Sequence, residues 1–569
     1  MPLSQVHAGM HCTGYSVVRG TTISSFDVDV VDVIDSDPGT DGARIIVTAS
    51  GPAVDATGIG PGFSGSPIYC PDRNGVQRNI GAISESIGDY GGKTVLATPI
   101  ELMLANSDNP PKPPNAKTTV AARSSRPAGK ARSTQARAAI HRMRIRGVKP
   151  LVGPITFTGL SSRLGQALER TGAKIGRPVI SVPAGPLGSF PQQTLVPGAA
   201  VSAGYSSGDL RIGAVGTVSY TDNGRVWAFG HPFESAGARN LLLQDAYVFK
   251  VVNDPNASLT GGSYKLAVAG HDVGTLTNDA ATAIVGRLGA LPQTTTVRAA
   301  ATDHDTGQKR FMETAVADET DVDTPTGFTP LGAVAPLAIA EAAGSVMRSS
   351  PGRLTGRMCM RITFRERPNK PARFCNRYLS STILAPDAGA LGNSVAFSAA
   401  LDALDAISLI EGFEGRTPHV GTVSADINVR RGEQLAFLRK IKAPHRVKPG
   451  QSVRLRVTMQ RIRGGNLTKT YHVRIPRNIK PGRRMLKLVG AQQSSPDDAL
   501  LELLLEGDDG EDVGPGPTRL NNLIDEIHAL GRWDGVTVRM GGHGKRAFRD
   551  DDLVVTGRAQ ATVRVAKKR

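Results

Sequence analysis

Short runs of Val, Ile and Thr, broken every few residues by Gly, Pro or Asp, recur along the whole chain. That rhythm predicts a mainly β protein. Ala214 to Tyr220 and Val226 to Phe229 flank Asp222-Asn223-Gly224. Asn-Gly between two such runs predicts a hairpin, because both turn residues tolerate positive φ. Met360 to Phe364 and Arg373-Phe374 predict a second hairpin, bending near Pro368-Asn369-Lys370. Further on, Val453, Leu455, Val457 and Met459 alternate with polar positions, and Arg454, Arg456, Arg461 and Arg463 are assigned to an open face. Helical spacing is rarer. It marks Ser398 to Leu404, Ala499 to Leu505 and Leu520 to Leu530.

Against this background one segment stands apart, Gly62-Phe63-Ser64-Gly65-Ser66-Pro67. A serine between glycines and closed by proline is what an exposed nucleophile on a tight turn requires. The glycines open backbone conformations denied to other residues and let a carbonyl approach. The amides of Gly62 and Ser64 are then candidates for an oxyanion hole. A serine hydroxyl also needs a base. Of the eleven histidines, His231 in Val226-Trp227-Ala228-Phe229-Gly230-His231-Pro232-Phe233 follows a predicted strand end, a position suited to presenting a side chain into a cleft.

The serine segment resembles the Gly-x-Ser-Gly-x-Pro signature of chymotrypsin-like proteases, and more closely that of the SpoIVB-type serine peptidase family. The upstream run Phe26 to Val31, the downstream Ile80-Gly81-Ala82-Ile83 and the closing Thr98 to Met103 carry the resemblance over residues 1–106, with Phe63 where the family has methionine. The His231 segment, with Gly274-Thr275-Leu276 and Ile284 to Gly289, is similar to the family's histidine region over 195–300. The resemblance implies catalysis by Ser64 and His231 in a chymotrypsin-like double β-barrel built from two separated halves. Two departures accompany it. The serine half precedes the histidine half by 167 residues, and the stretch Thr48 to Pro52, where the family carries its acid, has no carboxylate. Asp55 is the nearest acid; Asp245 or a Ser-His dyad are alternatives.

Length and charge refine the picture. A chain of 569 residues is too long for one core. The expected domains are the serine half at 1–106, a basic linker at 107–142, the histidine half at 143–300, an α+β region at 301–430, an Ig-like β-sandwich at 431–490 and a helical/β region at 491–569. The net charge of +18 is concentrated: between Asn109 and Lys149 lie eleven Lys or Arg and no acid. Such a stretch buries no core and suits an electrostatic tether to an anionic envelope polymer. With aromatics at 5%, no platform for specific nucleic-acid binding is visible. There is no HExxH, no paired CxxC and no GxxxxGK[ST] loop, so no metal or cofactor is expected.

Two local cysteine pairs, Cys12 with Cys70 and Cys359 with Cys375, fit disulfides and an oxidising compartment. The first residues show no basic start followed by an apolar run, so no signal peptide is visible. The family resemblance nonetheless implies an extracytoplasmic site of action. The most apolar run, Pro330 to Gly344, is interrupted by Pro336 and Glu341, and no transmembrane segment is expected. The whole reads as a serine endopeptidase acting on itself or on an envelope protein. The alternative is a non-catalytic envelope scaffold that retains the fold.

Overall fold

The computed structural model describes residues 1–35, 42–108, 148–151, 153–174, 178–182, 190–254, 262–322, 329–347, 354–380, 395–432, 434–462, 464–490, 518–530, 535–540, 543–549 and 553–566. The basic linker therefore lies outside the described residues except at 107 and 108, and the helix expected at Ala499 to Leu505 lies wholly outside them. Within the described residues the protein is mainly β, as its apolar rhythm requires.

The first sheet comprises β1 (His11–Arg19), β2 (Thr22–Ile34), β3 (Arg44–Ser50), β4 (Pro67–Pro71), β5 (Gln77–Ile87), β6 (Thr94–Pro99) and β7 (Val148–Pro150). Its strand order is β4-β1-β2-β3-β6-β5, and an additional β4–β5 pairing closes those six strands into a barrel. A short helix, α1 (Ile100–Leu104), follows β6. The barrel interior is apolar: Val28, Val30, Ile45, Val47, Ile68 and Ile83 are all buried. β2 shows how the sequence specifies this. Phe26, Val28 and Val30 face inward while Asp27, Asp29 and Val31 alternate outward. The seventh strand, β7, pairs with the end of β5 from outside the closed ring.

The next sheet comprises β8 (Ile155–Thr158), β9 (Val179–Val182), β10 (Ala200–Gly204), β12 (Arg211–Asp222), β13 (Arg225–Ala228), β14 (Gly237–Asp254), β15 (Gly262–Ala280) and β16 (Ala283–Leu288). Six of them run in the order β10-β14-β15-β16-β13-β12 and are closed by β10–β12 pairing, with β8 and β9 added beyond β12. The expected hairpin joins β12 to β13. Asn223 and Gly224 take φ of 47° and 74°, and Asp222 pairs with Arg225. The short strand β11 (Ser206–Gly208) leaves this barrel to edge a third sheet.

That third sheet adds β17 (Thr294–Asp303), β18 (Lys309–Ala317), β19 (Leu354–Phe364), β20 (Arg367–Ser380) and β21 (Val420–Arg431), in the order β11-β18-β17-β21-β19-β20. The β19–β20 turn is at residues 365–366, because Phe364 pairs with Arg367. Pro368-Asn369-Lys370, expected at the bend, lie instead inside β20. Helix α2 (Ser162–Lys174) packs on β9 of the second barrel, whereas α3 (Pro330–Met347) and α4 (Val395–Glu411) pack against the third sheet and each other. By length and composition α3 could cross a membrane, yet 78% of it is buried inside the protein. Its Glu341 accepts hydrogen bonds from the amide and hydroxyl of Ser161 at 2.8 Å, so the charge that interrupts the apolar run has partners.

The C-terminal strands form a four-stranded sheet, Leu435–Lys442, Ser452–Arg461, Asn466–Arg474 and Val554–Thr556, and a five-stranded sheet that includes Gly482–Gly490, Gly535–Met540 and Arg558–Val565. They bury one apolar cluster in common. The unit therefore extends past 490, correcting the expected boundary. The sixty residues of 431–490 do not supply enough strand to cover both faces of their own core, and the chain returns after 535 to complete it. Helix α5 (Leu520–Ala529), which lies between, packs instead on β20 and α4.

Both cysteine pairs are disulfides, Cys12–Cys70 across β1 and β4, and Cys359–Cys375 across β19 and β20. They span 58 and 16 residues. By the loop-entropy relation, converting each pair to serine should cost about 4 and about 3 kcal/mol respectively. Denaturant unfolding of the two double variants checks the size and the order of these effects.

Candidate functional site

The Ser64 turn connects β3 to β4 and is held in the seam between the two barrels. Gly62 and Gly65 adopt φ of 94° and 90°, the left-handed region that glycine enters without cost. At Gly65 any side chain would also overlap the Thr217 carbonyl and crowd the Phe229 amide at 2.5 Å. The turn is docked through its carbonyls. Thr217 donates its amide to Ser64 O (2.8 Å) and its hydroxyl to Gly62 O (3.0 Å), and Ser219 donates its hydroxyl to Gly65 O (3.0 Å). The amides divide differently. Phe63 donates to Gly60 O, Gly65 to Ile83 O and Ser66 to Phe63 O. Among the described residues those of Gly62 and Ser64 have no acceptor, which leaves the expected oxyanion donors free.

His231 reaches the same seam from the second barrel. Phe229 and Gly230 both take φ of 70°, and for phenylalanine this is a strained conformation of the kind that clusters at functional sites. The loop beyond is pinned from below. The Asp279 carboxylate accepts the amides of Phe233 (2.6 Å), Glu234 (2.7 Å) and Ala236 (3.2 Å). Arg239, wholly buried, pairs with Glu234 at 2.7 Å and with Glu319 at 2.8 Å. On the first barrel, Thr98 donates its hydroxyl to Gly230 O at 2.6 Å. A side chain on Gly230 would meet the Ile83 carbonyl at 3.2 Å, and that carbonyl binds the Gly65 amide. The strand residue Ile83 thus touches both the serine turn and the histidine loop.

Ser64 and His231 are each fully buried. The expected exposed nucleophile is instead covered. Neither Ser64 Oγ nor His231 Nε2 has a hydrogen-bond partner, so the two are not bonded to one another. His231 Nδ1 lies 2.7 Å from Pro232 O. A carbonyl can only accept, so Nδ1 carries the proton and Nε2 presents a lone pair. Burial pushes the His231 pKa below its ordinary value, against upward pulls from the Pro232 carbonyl, Glu85 and the backbone of Leu151. The imidazole is therefore neutral at pH 7 and chemically a base.

The expected acids lie elsewhere. Asp55 is exposed and pairs with Lys93 at 2.7 Å, which holds its carboxyl below the usual range. It makes no bond to His231. Asp245 accepts the amides of Gln193 and His271 and pairs with the His271 ring at 3.0 Å. The carboxylate whose charge acts on His231 is Glu85, on β5, clasped by the buried Arg44 at 3.0 Å. Its strand position, without any motif, gave sequence reasoning no signal.

A second residue that the sequence did not mark is Lys265, on β15. It is buried with no carboxylate beside it. Its Nζ lies 2.7 Å from Ser16 Oγ, 3.2 Å from Thr217 Oγ1 and 4.6 Å from the centre of the Phe63 ring. Ser16 in turn accepts the Ser66 hydroxyl at 2.8 Å. These hydroxyls grip both shoulders of the serine turn. Burial pushes the Lys265 amine down to about 7, and an uncharged amine can accept from Ser16 while donating to Thr217. Among the described residues no cluster of three or more His, Cys, Asp or Glu is arranged to hold a metal.

No protein-family model, curated protein or solved structure matches this chain.

Between pH 10.5 and about 7 the unfolded chain binds the Lys265 proton more tightly than the folded one. Stability should therefore rise with pH across that window. Replacing Lys265 by Met, of similar length and without charge, removes that slope. The variant should melt a few degrees higher at pH 7, with the difference shrinking toward pH 10. Calorimetry at several pH values tests this.

Proposed function

We propose that this chain is a serine endopeptidase of the SpoIVB type, with a double barrel of the chymotrypsin kind. Ser64 is the nucleophile and His231 its general base. One observation carries the reading. A hydroxyl and an imidazole lone pair, both buried and both unpartnered, converge on one seam beside two free amides. Leaving a buried polar group unsatisfied costs about 1–3 kcal/mol, and such groups persist where function requires them. In the reaction Ser64 Oγ bonds to a peptide carbonyl carbon while its proton passes to His231 Nε2. The amides of Gly62 and Ser64 stabilise the oxyanion. His231 then protonates the leaving amine, and water returns the serine.

The orienting role of a triad acid falls first to the Pro232 carbonyl, which fixes the tautomer, with Glu85 adding negative charge. The substrate is a protein or peptide, and two disulfides support an extracytoplasmic location. The C-terminal two-sheet unit reads as an Ig-like scaffold. The second reading, a non-catalytic envelope scaffold, draws on the missing Ser64–His231 bond. Apo sites often show such bonds long, tightening only with substrate.

A fluorophosphonate probe should form an adduct at Ser64, mapped by mass spectrometry. The adduct should vanish in Ser64→Ala and form about a thousandfold more slowly in His231→Ala. Because burial lowers the His231 pKa, the rate should stay flat from pH 8 down past 6.5 before falling. A folded wild type that takes no label would favour the scaffold.

A further inference from the structure

The burial of Ser64 has a specific cause in the chain's own path. β5 continues beyond its last pair with β4, Ala82 with Pro67. Ser84 is an extra residue in its pairing with β6, since Ile83 faces Ala97 and Glu85 faces Leu96. A bulge of this kind re-aims the backbone next to functional sites. Along the edge so freed lies β7, antiparallel, with Pro150 opposite Glu85, Lys149 opposite Ser86 and Val148 opposite Ile87. The next residue, Leu151, donates its amide to Ser84 O at 2.9 Å and is fully buried in the cluster that holds Phe63 and Ile83.

Following the register one step further leads to Ile83, whose carbonyl is bound by the Gly65 amide, the residue after Ser64. On the far side, Gly153 lies against β12, where a side chain would come within 2.6 Å of Val215 O. Two residues along, Thr217 binds Ser64 O. Between Leu151 and Gly153 the chain therefore passes from the first barrel to the second at the serine turn. The backbone of Leu151 also reaches His231 closely enough to act on its titration.

We propose that the β5 edge from Ser84 to Ile87 is the peptide-binding subsite of the Ser64 centre, that Val148 to Leu151 occupy it as substrate, and that the chain cuts itself after Leu151. This rests on Ser64 and His231 acting as a peptidase pair. An extended peptide adding a strand to a sheet edge takes its affinity from main-chain bonds and its specificity from alternate side-chain pockets. Here the seated side chain is that of Leu151, which makes an apolar residue before the cut bond the preferred substrate. In the first step Ser64 Oγ bonds to the Leu151 carbonyl carbon, its proton moves to Nε2 of His231, and the bond to the Val152 nitrogen breaks. His231 gives that proton to the new amine. Water then hydrolyses the ester, leaving a carboxylate on Leu151 and restoring Ser64.

The test is terminal sequencing and intact mass of the full chain after incubation at pH 7.5, with fluorophosphonate labelling in parallel. A fragment beginning at Val152 should accumulate in wild type. It should be absent in Ser64→Ala and at least about tenfold slower in Leu151→Asp, where a charge meets an apolar site. Leu151→Met, which keeps the volume, should still be cut, covering the case in which Leu151→Asp misfolds. If Ser64 takes the probe but no Val152 terminus forms, the self-cleavage is wrong and the peptidase reading stands. If Ser64 takes no probe and the chain stays whole, both fall. A Val152 terminus that forms equally in Ser64→Ala would mean a foreign protease and also overturns the proposal.

Discussion

The structure depends on the docking of one short turn from the first barrel onto one strand of the second. Thr217 makes the contact twice, through its amide to Ser64 O and its hydroxyl to Gly62 O. The two glycines make it possible, since side chains at those positions would drive the barrels apart. Without this docking, a serine and a histidine separated by 167 residues would belong to different bodies. With it, they share a seam only a few residues wide. The chain between them is long, but loop-closure cost grows slowly with length, and the apolar cores of two closed barrels carry the entropy of bringing the halves together.

The seam is dry, and its polar groups are arranged accordingly. Lys265 has hydroxyls and a ring around it in place of a carboxylate, so it can be buried only by giving up its proton. His231 is likewise held neutral by burial. Asp279 keeps three backbone amides and Arg239 keeps two carboxylates, which fixes the histidine loop as firmly as the serine turn. A low-dielectric seam strengthens each of these bonds. It equally makes the two orphan groups, Ser64 Oγ and His231 Nε2, expensive to keep. Rigid surroundings with an unsatisfied centre are the arrangement expected of a preorganised site waiting for a reacting group.

Much of this was legible before folding. The alternation in β2 and in Ser452–Arg461, the Asn223-Gly224 turn, the two cysteine pairs and the helices at 395–411 and 520–529 all followed from local chemistry. The candidates Ser64 and His231 came from short motifs, and they do meet at one seam. Asp55 misled because proximity in sequence stood in for proximity in space, and its carboxylate turned outward to Lys93. Glu85, Lys265 and Leu151 escaped notice because each sits in an ordinary strand or connection with no motif around it.

The sequence by itself determined the local elements: which runs alternate, which turns need glycine, which cysteines can pair across neighbouring strands. These depend on forces acting within a few residues. The tertiary structure alone decided that two rings close, that the second sheet of the C-terminal unit is completed after residue 535, and that Leu151 lies over the serine. Such facts rest on contacts between residues far apart in the chain. They are fixed by the fit of buried surfaces, and no window of neighbouring residues contains that information.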